Sequence, residues 1–404
     1  MSEPDARGPD RRPLRFYLVA GEHSGDRLGA GLISALRSWG PAFEFAGVGG
    51  DDMRGEGLSS LFPMSDIVVM GMVPIGRIPA ILRRIDDTAR DILAKRPDLV
   101  VIIDSPDFTH RVARKVRRLA PSIPIVDYVS PSVWAWRPGR AKAMRAYVDH
   151  LLALLPFEPE AHRRLGGPSC AYVGHPLIER LDVLRPNEAE AGVRARGPLL
   201  VLPGSRRTEI RRLTGIFGDT VSRIVDRLGP IDIVLPAVED HLREIEDHVS
   251  RWRIAPRIVT GEAAKLAAFR SARAALAASG TVTLELALSG VPMVVAYRVS
   301  RFENWLRFLI KVSSIVLPNL ILGRNVIPEF IQEDCSAERL EAALLPLLRE
   351  GPERQRQLAA FEDLDGLMRL DGDWVPSRKA ADEVLRTLSR VSPRTIGGDP
   401  SPPA

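Results

Sequence analysis

The sequence has very few cysteines and no long apolar run. Its 404 residues include two cysteines, Cys170 and Cys335. They are too few for a disulfide framework and too sparse for a metal site. We therefore expect the protein to reside in the reducing cytosol. A membrane-spanning helix needs about 18 apolar residues in succession, and the nearest approach, residues 309–322, is interrupted by Lys311 and Pro318. The chain is therefore predicted not to span a membrane, although it could lie on one.

Several motifs of cofactor and nucleophile chemistry are also missing. The sequence has no GxGxxG after its first predicted strand, and no P-loop, HExxH, CxxC or GxSxG. Nicotinamide and flavin cofactors are therefore not indicated, and we expect neither a cofactor nor a metal ion. The net charge of +5 and the pI near 9.4 favour an anionic ligand or an anionic membrane surface, but specify neither.

What the sequence does contain is an alternation of apolar strands with helical segments. The predicted strands are residues 15–20, 43–48, 99–103, 123–129, 151–155 and 171–173, followed by a second series at 199–202, 231–235, 257–259, 274–278 and 293–297. This pattern predicts an α/β protein with two doubly wound parallel sheets that face a central cleft. The predicted domains are 14–178 and 197–390, with terminal helices able to pack back on the first. A polar linker at 178–198 separates them, and disordered ends occupy 1–13 and 391–404.

Residues 274–297 form the most informative stretch, with a strand, a turn, a short helix and a second strand. Ser279, Gly280 and Thr281 make the turn, and Thr281 is a candidate helix N-cap. Such a turn directs backbone N–H groups and the positive end of a helix dipole at one point, where a phosphate can bind. Glu285, inside the apolar helix, could accept both hydroxyls of a ribose. The alternative is a solvated helix glutamate, and the spacing does not decide between them.

Other polar residues stand where predicted strands end. Asp104 could act as a general base if burial raises its pKa, and its alternative is a helix cap. Arg206, after Pro-Gly-Ser, suits a clamp on a diphosphate, and its alternative is a surface arginine. Residues 134–142 interleave tryptophan with basic residues. They fit a phosphate-bearing substrate or plain packing better than nucleic acid. We also expect Asp26 and Thr208 to cap the helices beside them.

Nine stretches of the chain together resemble one enzyme family. They are residues 20–32 (AGEHSGDRLGAGL), 47–57, 104–108 (DSPDF), 128–140 (YVSPSVWAWRPGR), 154–158, 173–176, 202–206, 278–297 and 317–333 (LPNLILGRNVIPEFIQE). In them the chain resembles the lipid A disaccharide synthases, inverting glycosyltransferases of Gram-negative bacteria with the GT-B fold of two Rossmann-like domains. The resemblance implies that a UDP-linked 2,3-diacylglucosamine is joined to 2,3-diacylglucosamine 1-phosphate, giving a β-1,6 disaccharide and UDP. The chain departs from the family at His23, where alanine is usual, and in the loop after Val73.

The resemblance also implies roles for individual residues. Asp104 is the expected base. The expected donor site comprises Arg206, Ser279, Gly280, Thr281, Glu285 and Asn319. The residues expected to contact the acceptor or to line the cleft are Glu22, Ser24, Asp26, Ser130, Trp136 and Arg137. No cofactor, metal ion or nucleic acid is implied. The expected location is the cytoplasmic face of the inner membrane, and whether the chain forms a homodimer stays open.

Residues 69–85 (VMGMVPIGRIPAILRRI) are predicted to contact that membrane. The residues expected to make the contact are Met72, Val73, Ile75, Ile78, Ile81 and Leu82. Pro79 can begin a helix, which places Ile78, Ile81, Leu82 and Ile85 on one face. An apolar face edged by arginines is typical of a helix lying in an anionic interface. The alternative is a helix that packs this face into the core of the first domain.

Two other kinds of function compete with this one. The first is another UDP-sugar enzyme on the same fold, such as a 2-epimerase or the peptidoglycan glycosyltransferase. The YVSPSVWAWR stretch and the apolar segments argue against it. The second is a non-catalytic protein that binds nucleotide sugars, which would have no need of Asp104.

Overall fold

The computed structural model describes residues 12–40, 43–67, 78–299 and 313–391. The chain divides into two compact units, each with its own parallel sheet. The first unit consists of Met1–Pro176 together with Leu370–Ala404, and the second is Leu177–Arg369. The chain thus leaves the first unit once and returns to it near its end.

Among the residues that the structure describes, seven parallel strands form the sheet of the first unit. They are β1 (Leu14–Ala20), β2 (Phe43–Val48), β3 (Ser59–Ser60), β4 (Leu99–Ile103), β5 (Ile125–Tyr128), β6 (His150–Ala153) and β7 (Ser169–Tyr172). Their order in the sheet is β3-β2-β1-β4-β5-β6-β7. The order reverses between β1 and β4, where Ala20 pairs with Ile103. Ligands of such sheets bind outside the carboxyl ends of the strands at this reversal.

Helices cover both faces of this sheet. In chain order they are α1 (His23–Ser38), α2 (Asp51–Gly55), α3 (Ile78–Lys95), α4 (Pro106–Leu119), α5 (Gly139–Met144) and α6 (Glu158–Arg164). Leu32 and Leu36 of α1 belong to the core on one face. Ile92 of α3 and Val112 of α4 belong to the core on the other. Because both faces are buried, the strands are apolar throughout rather than alternating.

The second unit repeats this plan, with six parallel strands in its described part. They are β8 (Leu199–Leu202), β9 (Ile233–Ala237), β10 (Arg257–Thr260), β11 (Ala274–Ala278), β12 (Met293–Tyr297) and β13 (Glu329–Ile331). Their order is β10-β9-β8-β11-β12-β13. The reversal lies between β8 and β11, so the segments after Leu202 and Ala278 border the expected ligand position. The predicted α/β class with two doubly wound parallel sheets is confirmed.

Nine described helices belong to the second unit, and one returns to the first. The nine are α7 (Leu181–Leu184), α8 (Glu188–Val193), α9 (Arg207–Leu228), α10 (Leu242–Val249), α11 (Glu262–Ser271), α12 (Val282–Leu288), α13 (Leu317–Leu322), α14 (Ala337–Leu344) and α15 (Pro352–Met368). The returning helix is α16 (Pro376–Val391). Its Ala380, Val384 and Leu388 join the core that α1 covers.

Residues 178–198 differ from the polar linker that the sequence predicts. They contain α7 and α8, and arginines attach them to the second unit. Arg185 pairs with Asp365 of α15. Arg194 donates to the carbonyl oxygens of Phe269, at 3.0 Å, and of Ser289, at 2.7 Å. The segment is therefore part of the second unit, and arginines anchor it there although many of its residues are exposed.

The prediction that Asp26 caps its own helix is wrong. The helix α1 already begins at His23, so Asp26 lies inside its first turn. The buried carboxylate of Asp26 instead accepts hydrogen bonds from the backbone N–H groups of Gly50, Asp52 and Met53, at 2.7, 3.0 and 3.2 Å. It therefore satisfies free backbone amides at the start of α2, the next helix along the chain.

The prediction for Thr208 is also wrong, because Arg206 occupies the N-cap of α9 and Thr208 follows inside the helix. The carboxylate of Glu209 accepts from the backbone N–H groups of Ser205 and Arg206, both at 3.3 Å, and so replaces a threonine cap. Thr281 does occupy the N-cap of α12, as predicted, but its side chain makes no capping hydrogen bond.

The predicted ends of the chain fall largely outside the described residues, which begin at residue 12 and stop at 391. Arg12, which the sequence places in a disordered start, pairs with Asp98 at 2.6 Å. Val391, at the predicted start of the tail, is the last residue of α16.

Candidate functional site

Asp104 directly follows β4, and the fold fixes its carboxylate. The backbone N–H of Ser105 donates to Oδ1 at 2.7 Å, and the hydroxyl of Ser24 donates to Oδ2 at 3.0 Å. The backbone of Asp104 is held as well, because its N–H donates to the Tyr128 carbonyl at 3.0 Å. The hydroxyl of Thr109 donates to its carbonyl oxygen at 2.7 Å. Ser24 of α1 and Ser105 thus orient the carboxylate, while Tyr128 of β5 and Thr109 of α4 hold the backbone beneath it.

The backbone at Asp104 is in a conformation that few residues adopt. Asp104 has φ of 52° and Ser105 has φ of 45°, in the left-handed region. Such a residue costs on the order of 1–3 kcal/mol, and structures retain this strain mostly at functional sites. Gly21 lets the β1 loop come close, since a Cβ there would lie 2.4 Å from that of Ser105. The helix-cap alternative for Asp104 does not hold, because Ser105 is the N-cap of α4.

The other acceptor-side residues divide into exposed and buried ones. Glu22 and Ser24 are exposed beside Asp104. Trp136 is also exposed, and the guanidinium of Arg137 stacks on its ring, 4.2 Å from the centroid. Ser130 is buried, and its hydroxyl bonds to Nε2 of His162 at 2.8 Å. Ser130 therefore supports the loop after β5 from inside, as Asp26 supports the start of α2.

A buried carboxyl, Glu158, holds the same loop, and the sequence analysis missed it. The indole Nε1 of Trp134 donates to Glu158 at 3.1 Å, and the backbone N–H of Leu155 donates to it at 3.0 Å. Burial raises the pKa of Glu158 to about 7. Burial lowers the pKa of the neighbouring His162 to about 4. Only the position of Glu158 after an apolar strand could have drawn attention to it.

A second buried pair lies beneath the Asp104 loop. Nε2 of His110, on α4, lies 3.0 Å from Oδ2 of Asp127, on β5. Nδ1 of His110 lies 3.0 Å from the hydroxyl of Tyr147. Burial raises the pKa of Asp127, His110 opposes the rise, and the negative charge of Asp104 adds to it. The one sequence signal was an aspartate inside an apolar strand, and the analysis did not use it.

The second unit has a cavity of about 600 Å³ at the carboxyl edge of its sheet. It is bordered by the ends of β8, β9 and β11 and by the first residues of α11 and α12. Its lining includes Leu202, Gly204, Ser205, Arg206, Glu209, Pro236, Ala237, Gly261, Glu262, Lys265, Ala278, Ser279, Gly280, Thr281 and Glu285. Five of the six predicted donor residues are therefore in one place. A cavity of this size is typical of small-ligand sites.

Arg206 reaches this cavity from the turn after β8. Gly204 has φ of 113°, and a Cβ there would lie 2.5 Å from the carboxylate of Glu209. That carboxylate fixes the turn and lies 3.4 Å from the Arg206 guanidinium. The Arg206 side chain is nevertheless 75% exposed, so it is free to turn toward an anionic ligand.

Ser279, Gly280 and Thr281 form the opposite wall. The Ser279 hydroxyl donates to the carbonyl of Ile315 at 2.7 Å, which fixes the turn after β11. Nothing lies within 4 Å of the position that a Cβ of Gly280 would take, so the wall is open there. Glu285 follows on α12 with only 15% of its side chain exposed. The solvated-glutamate alternative is therefore wrong.

Lys265 of α11 also lines the cavity, and the sequence analysis did not identify it. Its Nζ lies 3.1 and 3.4 Å from the two carboxylate oxygens of Glu285 and 3.0 Å from Glu262. The only sequence signal was the Glu262–Lys265 spacing on one helix. Among the described residues, no group of three or more histidine, cysteine or acidic side chains could hold a metal ion.

Asn319 has a different role from the predicted donor contact. It is 1% exposed, and its amide nitrogen donates to Ser314 at 3.3 Å and to the Ile327 carbonyl at 2.9 Å. Its oxygen accepts from the N–H groups of Val326 and Ile327, at 3.0 and 2.9 Å. These bonds use both donors and both lone pairs, so Asn319 shapes the loop after α13 and we assign it no ligand contact.

The segment predicted to contact a membrane is described only from Ile78 onward; Met72, Val73 and Ile75 lie outside the described residues. Ile78 is 42% exposed and Leu82 is 46% exposed. Ile81 packs against the core, and Ile85 is buried in it. The apolar face predicted for this helix is therefore divided: Ile78 and Leu82 are exposed, whereas Ile81 and Ile85 pack into the core. In the part of the chain that the structure describes, no helix has the length and apolarity to cross a bilayer.

Solved structures share this fold at low sequence identity. The UDP-GlcNAc 2-epimerase of Neisseria meningitidis, bound to UDP-GlcNAc, superposes with a TM-score of 0.61 at 10% identity, covering 93% of this chain and all of that one (100%). A calicheamicin glycosyltransferase gives a TM-score of 0.57 at 16% identity and covers 95% of this chain and 100% of that one. At these identities the likeness is one of fold alone.

The sequence comparisons are far closer. The lipid-A-disaccharide synthase of Nitrobacter hamburgensis is 55% identical over 379 residues, 93% of this chain and 96% of that protein. The synthase of Rhodospirillum centenum is 42% identical over 388 residues, 94% of this chain and 96% of that protein. A family model described as lipid-A-disaccharide synthetase matches residues 16–371, which include Asp104, Arg206 and Glu285. The chain belongs to the lipid-A-disaccharide synthase family.

Proposed function

We propose that this glycosyltransferase condenses UDP-2,3-diacylglucosamine with 2,3-diacylglucosamine 1-phosphate, and that Asp104 and the second-unit cavity carry out the reaction. Membership of the family makes the chain an enzyme of lipid A biosynthesis. The observation that carries the residue assignment is the fixed Asp104 carboxylate, which two donors orient at the strand-order reversal of the first sheet.

In the proposed reaction, the 6-hydroxyl of the acceptor sugar attacks the anomeric carbon of the donor. The new C–O bond forms as the bond between that carbon and the diphosphate oxygen breaks, with inversion. Asp104 takes the hydroxyl proton, and the electron pair of the broken bond leaves on UDP. A positioned base of this kind contributes roughly 10²–10⁴ in rate.

The donor is assigned to the second-unit cavity. Arg206 compensates the charge that grows on the diphosphate, and backbone groups of residues 279–281 bind the same phosphates. Glu285 accepts the ribose hydroxyls. Because guanidinium and backbone donors supply the positive potential, the reaction is proposed to need no divalent ion.

The acceptor is assigned to the first-unit edge around Asp104. Glu22, Ser24, Trp136 and Arg137 are exposed there, and Arg137 offers a cation for the acceptor's phosphate. Ser130 and Asp26 are proposed to act indirectly, since the structure buries them and gives their side chains protein partners.

Both substrates carry acyl chains, so we also propose peripheral attachment to the cytoplasmic face of the inner membrane. Ile78 and Leu82 are exposed at the start of α3, beside the exposed Arg83. An apolar side chain edged by a cation is suited to an anionic interface. Met72, Val73 and Ile75 directly precede them in the sequence and are proposed to belong to the same contact.

The test is release of UDP with both lipid substrates present, together with mass spectrometry of the lipid product. We expect UDP and disaccharide 1-phosphate in equal amounts, no UDP when the acceptor is omitted, and unchanged turnover when a chelator is added. Epimerised UDP-sugar without disaccharide would place the chain with the epimerases, and loss of turnover with chelator would overturn the metal-independent reaction.

A further inference from the structure

Lys265 lies between two carboxylates on the wall of the second-unit cavity. Its Nζ is 3.1 Å from Oε1 and 3.4 Å from Oε2 of Glu285. It is also 3.0 Å from Glu262, one turn earlier on the same helix. The pair with Glu285 joins α11 to α12, which are separated by the strand β11. Lys265 and Glu285 are respectively 25% and 15% exposed, so solvent screens this pair less than a surface pair.

The position of the ammonium group is itself fixed. Glu262 is held from its other side by Arg180, whose guanidinium lies 2.9 Å from its carboxylate. The Lys265 ammonium also lies 5.7 Å from the centroid of the Phe269 ring, within the range of a cation–π contact. The lysine is therefore a fixed support for Glu285 rather than a mobile surface cation.

This arrangement determines what Glu285 can bind. A carboxylate offers about four lone-pair sites on two oxygens, and Lys265 approaches both oxygens while leaving part of this capacity unused. An ionised carboxylate accepts hydrogen bonds and donates none. The matching ligand group is a pair of neighbouring hydroxyls, one for each oxygen.

We propose that Lys265 is a positioning residue that orients Glu285 for the 2′ and 3′ hydroxyls of the donor's ribose, and thereby makes the cavity selective for ribonucleotides. This inference rests on the proposed function, which assigns the UDP moiety to this cavity. Lys265 acts through Glu285 and does not contact the reacting atoms. The rival role is a direct contact between the ammonium and the diphosphate, since Lys265 lines the cavity itself.

Orientation of Glu285 and direct contact with the diphosphate predict different effects on two nucleotides. Calorimetric titration with UDP and with 2′,3′-dideoxy-UDP compares ligands that differ only in the ribose hydroxyls. Lys265→Met keeps most of the side-chain length and removes the charge. We expect it to weaken UDP binding about 5- to 20-fold, the effect of disturbing hydrogen bonds to a charged group. Binding of the dideoxy nucleotide should change less than about 2-fold.

Two further variants complete the cycle. In a Glu285→Gln background, Lys265→Met should have little additional effect, because coupled residues are not additive. Lys265→Arg, which restores the cation, should recover part of the preference for UDP. Arg257→Met is the matched control: it removes a cation from the same unit, but Arg257 lies outside the cavity and should leave both nucleotides unaffected.

Each outcome of these titrations either supports or overturns the proposed role of Lys265. Equal loss for UDP and dideoxy-UDP in Lys265→Met means a direct diphosphate contact and overturns the inference, as does no loss at all. If Glu285→Gln loses the preference for UDP while Lys265→Met keeps it, the ribose site stands and only the role of Lys265 is wrong. If the unmodified protein binds neither nucleotide, the proposed donor site fails instead. Lys265→Gln replaces the methionine variant if the latter melts early.

Discussion

At the scale of single residues, Asp104 has the geometry that a general base needs. Two hydrogen-bond donors orient its carboxylate, and a left-handed backbone presents it at the strand end. The backbone hydrogen bonds to Tyr128 and Thr109 hold the Asp104 loop independently of the carboxylate.

Replacing Asp104 by asparagine should therefore separate chemistry from folding. Asp104→Asn keeps the shape of the side chain, and its amide nitrogen can donate to the Ser24 hydroxyl in place of accepting from it, but the amide cannot act as the base. We expect turnover to fall roughly 10²–10⁴-fold, with UDP affinity and melting temperature close to those of the unmodified protein. Steady-state UDP release measures the first, and calorimetry the others. Near-normal turnover would remove Asp104 from the mechanism.

Arg206 and Glu285 make a second residue-scale prediction. Arg206→Ala and Glu285→Ala should each weaken UDP binding by about 1.5–3 kcal/mol, because each removes a hydrogen bond involving a charged group. Arg207→Ala is the control, since Arg207 is the adjacent arginine but pairs with Glu244 outside the cavity. Calorimetric titration with UDP gives the comparison. Equal affinities in all three variants would contradict the donor site.

The sequence pointed to Asp104 and Arg206 because Asp104 directly follows an apolar strand and Arg206 lies in the turn after another. The ends of strands are where such sheets bind ligands. It missed Lys265 because that residue meets Glu285 only after the chain has passed through a helix and a strand. It assigned Asn319 to a ligand because position in a motif does not reveal which hydrogen bonds the fold already uses. Contacts across elements depend on packing, which sequence spacing does not specify.

At the scale of elements, the strands were predicted closely because both faces of each sheet are buried. The bounds of β2, β4, β8, β11 and β12 match the predicted ranges. Residues 178–198 were predicted poorly because short helices held by arginines have the composition of a polar linker. Similarly, α3 has its exposed and buried apolar residues on neighbouring faces, a division that the 3.6-residue period alone cannot assign.

That division in α3 gives a matched test of membrane contact. The double variant Ile78→Ser, Leu82→Ser removes the two exposed apolar residues. It should reduce sedimentation with anionic vesicles while leaving the free energy of unfolding within about 0.5 kcal/mol. Ile85→Ser, one turn further on but buried, should instead cost about 2–5 kcal/mol. Full vesicle binding by the double variant would place any membrane contact elsewhere.

At the scale of the whole molecule, the last helix decides whether the first unit is complete. Ala380, Val384 and Leu388 of α16 fill the core on the face that α1 also covers. An electrostatic contact adds to this packing. Glu383 lies 3.2 Å from His150 of β6 and 3.2 Å from Lys379, and bonds to these two groups lower the pKa of Glu383 to about 2.

This pKa predicts how stability depends on pH. Because the folded-state pKa of Glu383 lies below its usual 4.5, its contribution is complete above about pH 4.5 and is lost as the pH falls toward 2. Glu383→Gln should therefore lower the free energy of unfolding by about 2–3 kcal/mol at pH 7. The difference from the unmodified protein should shrink steadily below pH 4.5. A difference that does not vary with pH, measured by denaturant titration, would refute the ionic contribution.

The return of α16 to the first unit has a consequence for synthesis on the ribosome. The second unit is translated whole between the two parts of the first. At ~5–20 residues per second, this takes on the order of 10–40 s. Throughout that interval the nascent first sheet lacks one of its covering helices and leaves apolar side chains open to chaperones or to aggregation. The part of the chain that emerges first is therefore the part that finishes folding last.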